Sequence, residues 1–355
     1  MIVYVSFGSS AVRLVILAAC DACRTENTLK CLSLILNHQF NTSALMSAEK
    51  ENSKYIVVDW GTSNFRAFLV DRDRQILDRV SSNDGLLNIS GQFQSVLEAN
   101  IGHWLESKED VSILMSGMVG SRNGWVEVPY VSYPINTQNL LENLYQIKSI
   151  NNGRCWIVPG VSGKSVSECF DVMRGEEVQF LGANELIAEK QLEAPDFICM
   201  PGTHNKWIEV NGADGGGFST TMTGELFDIL SKRSILSASV QVGLDWDENK
   251  FSFGLDNSRR VGGLLHQLFT VRTLNIAGEH ELQHGGSYLS GLLIGNEINS
   301  IIKKDKSTVA VIASEGMMSR YLYALKHFGF TAYGIDSAEA TIAGSVELVV
   351  AKEHS

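Results

Sequence analysis

The feature that most restricts the fold is a series of short apolar runs separated by longer stretches with helical spacing. The runs cover residues 55–59, 65–70, 111–115, 156–158, 197–200 and 309–312, and helical patterns occupy 92–107, 176–190, 287–302 and 319–327. Runs this short and apolar make buried strands, and their alternation with helices predicts an α/β protein. With 355 residues, 44% of them hydrophobic, the chain can build about two domains on the usual scale of roughly 100 to 200 residues each. All five prolines lie between Pro129 and Pro201, and the segment LGANELIAEKQLEAPD, residues 181–196, passes from helix to charged linker before a new strand. A junction between domains is expected there. No sequence repeat or low-complexity tract appears.

Lys and Arg number 29 against 40 Asp and Glu, a net charge of −11, and no basic cluster stands out. Nucleic acid is therefore not an expected partner, because neutralising phosphates needs concentrated cations. No stretch approaches the roughly 18 apolar residues that span a bilayer. A cytoplasmic location and no membrane partner are expected. Residues 1–45 differ from the rest: they hold Cys20, Cys23 and Cys31 and precede Met46, after which the sequence reads like an ordinary cytosolic start. They read as an extension of doubtful status. Leu17-Ala18-Ala19-Cys20 imitates a lipoprotein cleavage box, but the apolar core before it is too short for export. The CxxC at Cys20 and Cys23 has no second pair at zinc spacing, and Cys155, Cys169 and Cys199 are expected as buried thiols.

Three strand-to-turn segments carry most of the functional signal. The first, Tyr55-Ile-Val-Val-Asp-Trp-Gly-Thr-Ser-Asn-Phe-Arg66, is a strand ending in Asp59 and a turn of Gly61, Thr62, Ser63 and Asn64. Its backbone N–H groups and hydroxyls can bind phosphate oxygens, while Asp59 can hold Mg²⁺ through water. An ordinary hairpin turn has the same chemistry. In the second, after strand 197–200, Gly202 and Thr203 can cradle phosphate and His204 or Lys206 can offset its charge. The third runs from Val309 through Ala313, Ser314 and Gly316 into a helix. Between the first two lies VMRGEEVQFLGA, 172–183, where Glu176 and Glu177 open a helix. Either suits a general base, or both simply favour the helix N-terminus. Successive helical side chains diverge by about 100°, so one of the two should face a cleft.

Two motifs are set aside. His280-Glu-Leu-Gln-His284 matches HExxH, yet Gly278 before it and Gly285-Gly286 after it predict a helix of barely two turns, too short for a zinc-protease site. Gly160-Val-Ser-Gly-Lys-Ser165 ends like a nucleotide-binding P-loop but its glycines are too close together, and it reads as a surface turn.

The ordered trio resembles the phosphate-1, phosphate-2 and adenosine segments of the actin, hexokinase and heat-shock ATPase superfamily. More narrowly, VVDWGTSNFRAF (57–68), SGMVGSRNGWVEVPY (116–130), VMRGEEVQFLGA, MPGTHNKW (200–207), MTGEL (222–226) and SYLSGLLIGNE (287–297) resemble the signature blocks of the 2-dehydro-3-deoxygalactonokinase family. That resemblance implies two ribonuclease-H-like, actin-like domains with a nucleotide cleft between them: 46–183 carrying the phosphate-1 hairpin and sugar acid site, 184–340 carrying the phosphate-2 and adenosine segments, and a terminal helix 341–355. It implies ATP and Mg²⁺, and transfer of phosphate to the C6 hydroxyl of 2-dehydro-3-deoxy-D-galactonate in galactonate catabolism. Sugar acid contacts are expected from Arg66, Ser116, Gly117, Met118, Gly120, Arg122, Trp125 and Arg174, the arginines because a guanidinium grips a carboxylate bidentately. Trp125 as core and Arg122 as a solvated loop residue are the plain alternatives. The partners are then two small molecules, a homodimer is open, and the competing functions are a kinase for another 2-keto-3-deoxy acid or a nucleotide-binding regulator.

Overall fold

A computed structural model describes residues 53–106, 111–210, 216–243 and 246–355. The expected extension 1–45 lies outside them. Strand β1 (Lys54–Trp60) is apolar on both sides: Tyr55 and Val57 join one core, Ile56, Val58 and Trp60 another. It therefore sits centrally, covered on both faces. It pairs antiparallel with β2 (Phe65–Asp71), which pairs antiparallel with β3 (Ile76–Ser82). The chain then crosses over through α1 (Phe93–Leu105) to β4 (Ser112–Gly117), parallel to β1. After the short β5 (Val131–Ser132), α2 (Thr137–Glu142) and β6 (Tyr145–Gln146), β7 (Cys155–Ile157) completes a sheet of order β3-β2-β1-β4-β7-β6.

A second sheet repeats the arrangement. Strands β10 (Phe197–Met200), β11 (Asn205–Glu209) and β12 (Phe218–Thr221) are antiparallel neighbours, and β13 (Thr308–Ala313) and β14 (Thr331–Asp336) run parallel to β10, in the order β12-β11-β10-β13-β14. Both sheets thus share the order 3-2-1-4-5 with the same strand directions. The absence of a sequence repeat hides a structural one, because the fold asks only for strand length and apolarity. Between β12 and β13 lie four helices, α4 (Thr223–Arg233), α5 (Glu248–Ser258), α6 (Gly263–Ile276) and α7 (Leu282–Ile301), and α8 (Glu315–His327) links β13 to β14.

Two helices connect the sheets. Helix α3 (Glu176–Glu189) leaves the first half, and α9 (Ser337–Glu353) returns from the second. A Cβ on Gly182 would stand 2.0 Å from the Ala340 carbonyl oxygen, and one on Gly344 would stand 2.1 Å from that of Val178. The helices cross with backbones in contact. Helix α9 begins four residues before the expected 341, because Asp336 caps it by accepting from Ala338 N at 2.9 Å and Glu339 N at 3.0 Å. Its end ties to the first sheet: the Glu353 carboxylate accepts from Ser112 Oγ and from Arg154 Nη2, each at 2.7 Å.

Three expectations are corrected. Residues 161–164 are not a surface turn but strand β8 (Val161–Lys164), which joins β5 and β9 (Phe170–Met173) in a small sheet with Val161 fully buried. Cys169 is exposed in the loop between β8 and β9, whereas Cys155 and Cys199 are buried. Gly285 and Gly286 lie inside α7 and do not end it, since their lack of side chains lets the helix pass close to Ser239 and Gln241. His280 instead precedes the helix, packed edge-on against Phe253 and Tyr288, while His284 lies 3.5 Å from Asp247. The HExxH pentad thus straddles the helix start. Among the described residues no helix is long and apolar enough to cross a membrane.

The crossing of α3 and α9 leaves no room for larger residues. Gly182→Leu should lower the free energy of unfolding by about 1–3 kcal/mol or more, read from urea denaturation, with Gly182→Ala showing a smaller loss.

Candidate active site

Strand β1 delivers Asp59 near its C-terminal end, in the middle of the first sheet. The following turn closes by a hydrogen bond from Gly61 N to Asn64 O of 2.9 Å, and it is braced from behind where Leu86 N and Leu87 N donate to Gly61 O and Thr62 O at 3.2 and 3.1 Å. Thr62, Ser63 and Asn64 are exposed. Hairpin register sets Arg66 opposite Asp59, with Nη1 3.7 Å from Oδ2. On the other side, β4 sets Ser116 beside Asp59 and Gly117 beside Trp60. Gly117 has φ of 90°, and a Cβ there would lie 2.9 Å from Trp60 O and 3.5 Å from Asp59 Oδ1. Glycine is required at that point.

The remaining expected substrate residues divide into two groups. Ser116 is buried and its hydroxyl is 3.4 Å from Val58 O; Met118 and Gly120 form a short 3₁₀ turn beyond Gly117. Arg174 lies close to Gly120: a Cβ on that glycine would be 3.0 Å from Nη1. The Arg174 guanidinium is buried over the Tyr130 ring, 4.4 Å from its centroid, and Nη2 donates to Val128 O at 2.8 Å. Its Nε and Nη1 have no hydrogen-bond partner. Trp125 stacks on Phe93 with centroids 6.2 Å apart and packs against the first-sheet core, and Arg122 is exposed on the loop.

Helix α3 starts immediately beside these groups. Its first residue follows Gly175, with φ of 108°, where a Cβ would be 3.2 Å from Gly117 Cα. Glu176 and Glu177 diverge as helical geometry requires. Glu176 Oε2 accepts from Arg174 N at 3.0 Å, and Oε1 lies 3.4 Å from Lys206 Nζ. Glu177 is wholly buried; Oε2 accepts from Gly175 N at 2.7 Å and Oε1 has no partner. Burial, with the Glu176 charge added, pushes the Glu177 carboxyl up to about 8. Burial also raises the Asp59 carboxyl, opposed by Arg66 and reinforced by Glu176. The field of Glu176 thus reaches Asp59, and its ion pair reaches Lys206.

Lys206 comes from the second sheet. It is buried on β11 just past the turn at Gly202, Thr203 and His204, and its pair with Glu176 links the second sheet to the start of α3. The second turn is held tightly. Gly202 N donates to Asn205 Oδ1 at 2.7 Å, Glu225 N donates to Thr203 O at 3.0 Å, and His204 Nε2 is 2.6 Å from Glu225 Oε2. The third segment is adjacent. Ala313 is buried at the end of β13, Ser314 and Gly316 are exposed at the start of α8, and a cavity of about 110 Å³ between α8 and the second turn is lined by Gly202, Asn205, Gly224, Met317, Arg320 and Tyr321.

Sequence reading did not assign chemistry to Asn205, Arg320, Tyr321 or Glu297. Glu297 carried a signal: it is the sole charged residue between Tyr288 and Ile298, inside an apolar helix. A lone carboxylate there must find donors.

Two sheets of one topology, each with a turn at the end of its first strand, give the chain a duplicated α/β fold. A family model described as 2-keto-3-deoxy-galactonokinase matches residues 59–348. The chain is 34% identical to 2-dehydro-3-deoxygalactonokinase of Escherichia coli (strain K12), over 78% of this chain and 91% of that protein. It is 31% identical to a Rhizobium meliloti protein described as a probable 2-dehydro-3-deoxygalactonokinase, over 82% and 94%. A crystal structure from Sinorhizobium meliloti, described as a candidate 2-dehydro-3-deoxygalactonokinase, covers 84% of this chain and 96% of its own at 30% identity, with a TM-score of 0.72. The protein belongs to the 2-keto-3-deoxy-galactonokinase family and is an ATP-using sugar acid kinase.

The buried acid has a pH signature. Glu177 titrates near 8 when folded and near 4.5 when unfolded, so the folded state holds the extra proton between those values and stability falls as pH rises through them. Glu177→Gln should flatten that decline in thermal melts between pH 5 and 8, melting higher than wild type at pH 8 and close to it at pH 5.

Proposed function

We propose that this kinase transfers the γ-phosphoryl group of ATP to the C6 hydroxyl of 2-dehydro-3-deoxy-D-galactonate, giving 2-dehydro-3-deoxy-6-phosphogalactonate for galactonate catabolism. The observation that carries the reading is the 3.4 Å pair between Glu176 and Lys206, because it joins the candidate base to the candidate phosphate turn. Family membership supports the substrate class.

In this reading, backbone N–H groups of 61–64 and 202–204 hold the ATP phosphates, with Thr62, Ser63 and His204 adding polar contacts and Ala313, Ser314 and Gly316 meeting the adenosine side. Lys206 moves from Glu176 toward the γ-phosphate as ATP arrives. Glu176 is then left to accept the C6 hydroxyl proton, the task its partly open position suits better than the buried place of Glu177. Arg174 offers its two unpaired nitrogens, Nε and Nη1, to the sugar carboxylate, close to Gly120 and the Ser116-Gly117-Met118 segment. Arg66 and Arg122 add positive charge at the rim, and Trp125 supplies an apolar wall.

The site suits magnesium. Asp59 is a partly exposed carboxylate at the strand end, within the field of Glu176, and Mg²⁺ binds through one or two carboxylates while keeping waters. When bound, the ion neutralises charge on the transferring phosphate. The halves 46–183 and 184–340 close about the crossing of α3 and α9, which excludes water from the transfer.

A coupled assay with ATP, Mg²⁺ and a panel of 2-keto-3-deoxy sugar acids tests the substrate. The galacto isomer should be turned over with the highest kcat/KM, and preference for another member would overturn the assignment. Asp59→Ala should abolish measurable turnover. Glu176→Gln should lower kcat by about 10²- to 10⁴-fold, and the reverse pattern, with Glu177→Gln inactive and Glu176→Gln active, would transfer the base role to Glu177. Lys206→Met should raise the KM for ATP by at least about tenfold, the scale of a lost charge-assisted contact.

A further inference from the structure

Glu297 lies on α7, 4% exposed, and its carboxylate receives four different side chains. Asn205 Nδ2 donates to both oxygens at 2.9 and 3.0 Å, Trp207 Nε1 donates to Oε1 at 2.6 Å, Thr221 Oγ1 donates to Oε1 at 2.9 Å, and the Tyr321 hydroxyl donates to Oε2 at 2.7 Å. These donors come from β11, β12 and α8, so one buried charge ties three elements to a fourth. Burial and the Glu297 charge hold the Tyr321 hydroxyl well above its ordinary range, which keeps it a donor.

One of the four has a second task. A carboxamide has an oxygen end and a nitrogen end, and an anionic acceptor can face only the nitrogen. With Nδ2 of Asn205 committed to Glu297, Oδ1 must face the other way, where it accepts from Gly202 N at 2.7 Å. That bond closes the base of the 202–204 turn. A flipped amide would set N–H against N–H and open the turn. Asn205, Tyr321 and Gly202 also line the same cavity.

We propose that Glu297 is a positioning residue for ATP: by fixing the orientation of the Asn205 amide it sets the shape of the 202–204 turn, without touching the reacting atoms. The inference rests on the reading of that turn as a phosphate site, and its test separates the two.

The test uses the full-length enzyme. Glu297→Gln keeps the size of the side chain but removes the charge and turns one of the two oxygens that accept from Asn205 Nδ2 into an N–H donor facing it. It should raise the KM for ATP by about 10- to 100-fold, the scale of hydrogen bonds to a charged group, while the KM for the sugar acid stays within about twofold. Trp207→Phe takes a donor from the same carboxylate without touching the turn. It should lower the melting temperature and leave the KM for ATP within about twofold. Combining Glu297→Gln with Asn205→Asp exchanges donor and acceptor and again presents an oxygen to Gly202 N, so it should recover most of the lost ATP affinity. If Glu297→Gln does not fold, Asn205→Leu should show the same selective rise. A folded Glu297→Gln with unchanged KM for ATP, or an equal rise in Trp207→Phe, would overturn the inference. If Lys206→Met also leaves the KM for ATP unchanged, the reading of the turn has failed as well; if Lys206→Met raises it and Glu297→Gln does not, only the role of Glu297 falls.

Discussion

A buried ammonium has to be paired, and in this protein the pair is made across the two halves of the molecule. Lys206 belongs to the second sheet and Glu176 opens the helix that leaves the first. Breaking a buried pair by removing one partner costs about 3–5 kcal/mol, because it strands the other charge. The rest of the site is arranged around this contact. Asp59 feels Glu176 from one side, and the turn at 202–204 is continuous with Lys206 on the other. Charges that would stay unsatisfied alone are held within reach of one another by residues from the two sheets, whose inner faces share one apolar core.

What holds the sheets in that relation is the crossing of α3 and α9. Gly182 and Gly344 let the two helices touch backbone to backbone, and the Glu353 carboxylate anchors the end of α9 to Ser112 and Arg154. The helix that starts with the two glutamates is the same one that bears Gly182, so the point of closest crossing is rigidly linked to Glu176 less than two turns away. A change of angle at the crossing moves Glu176 relative to Lys206. Packing and chemistry are thereby coupled through one short helix.

Much of this was legible in the chain. The runs 55–59, 65–70, 111–115, 197–200 and 309–312 are strands because apolar, β-branched residues in short runs have few other buried forms, and each lies where its pattern predicts. The turns around 61–64 and 202–204 were visible from glycine and hydroxyl residues at strand ends. Other elements were not. Strand β3, with mostly exposed residues, has no apolar signature, and β8 contains a glycine and a lysine that read as a turn. The duplication of the sheets lies in strand order, which leaves no trace in residue identity. Glu297 closes the SYLSGLLIGNE block, yet its proposed role depends on four donors from other segments, up to 92 residues away through Asn205. Only folding brings them together. The same holds for the separation of Glu176 from Glu177, since helical geometry says that they diverge but not which one meets Lys206.

In the proposed reaction the turns at 61–64 and 202–204 hold one nucleotide between them. A crystal structure with a non-hydrolysable ATP analogue and Mg²⁺ tests it most directly. The account predicts phosphate oxygens within hydrogen-bond distance of backbone N–H groups from both turns, with Lys206 Nζ moved from Glu176 to the γ-phosphate. A nucleotide bound to one turn alone, or with its γ-phosphate remote from Lys206 and Glu176, would contradict it.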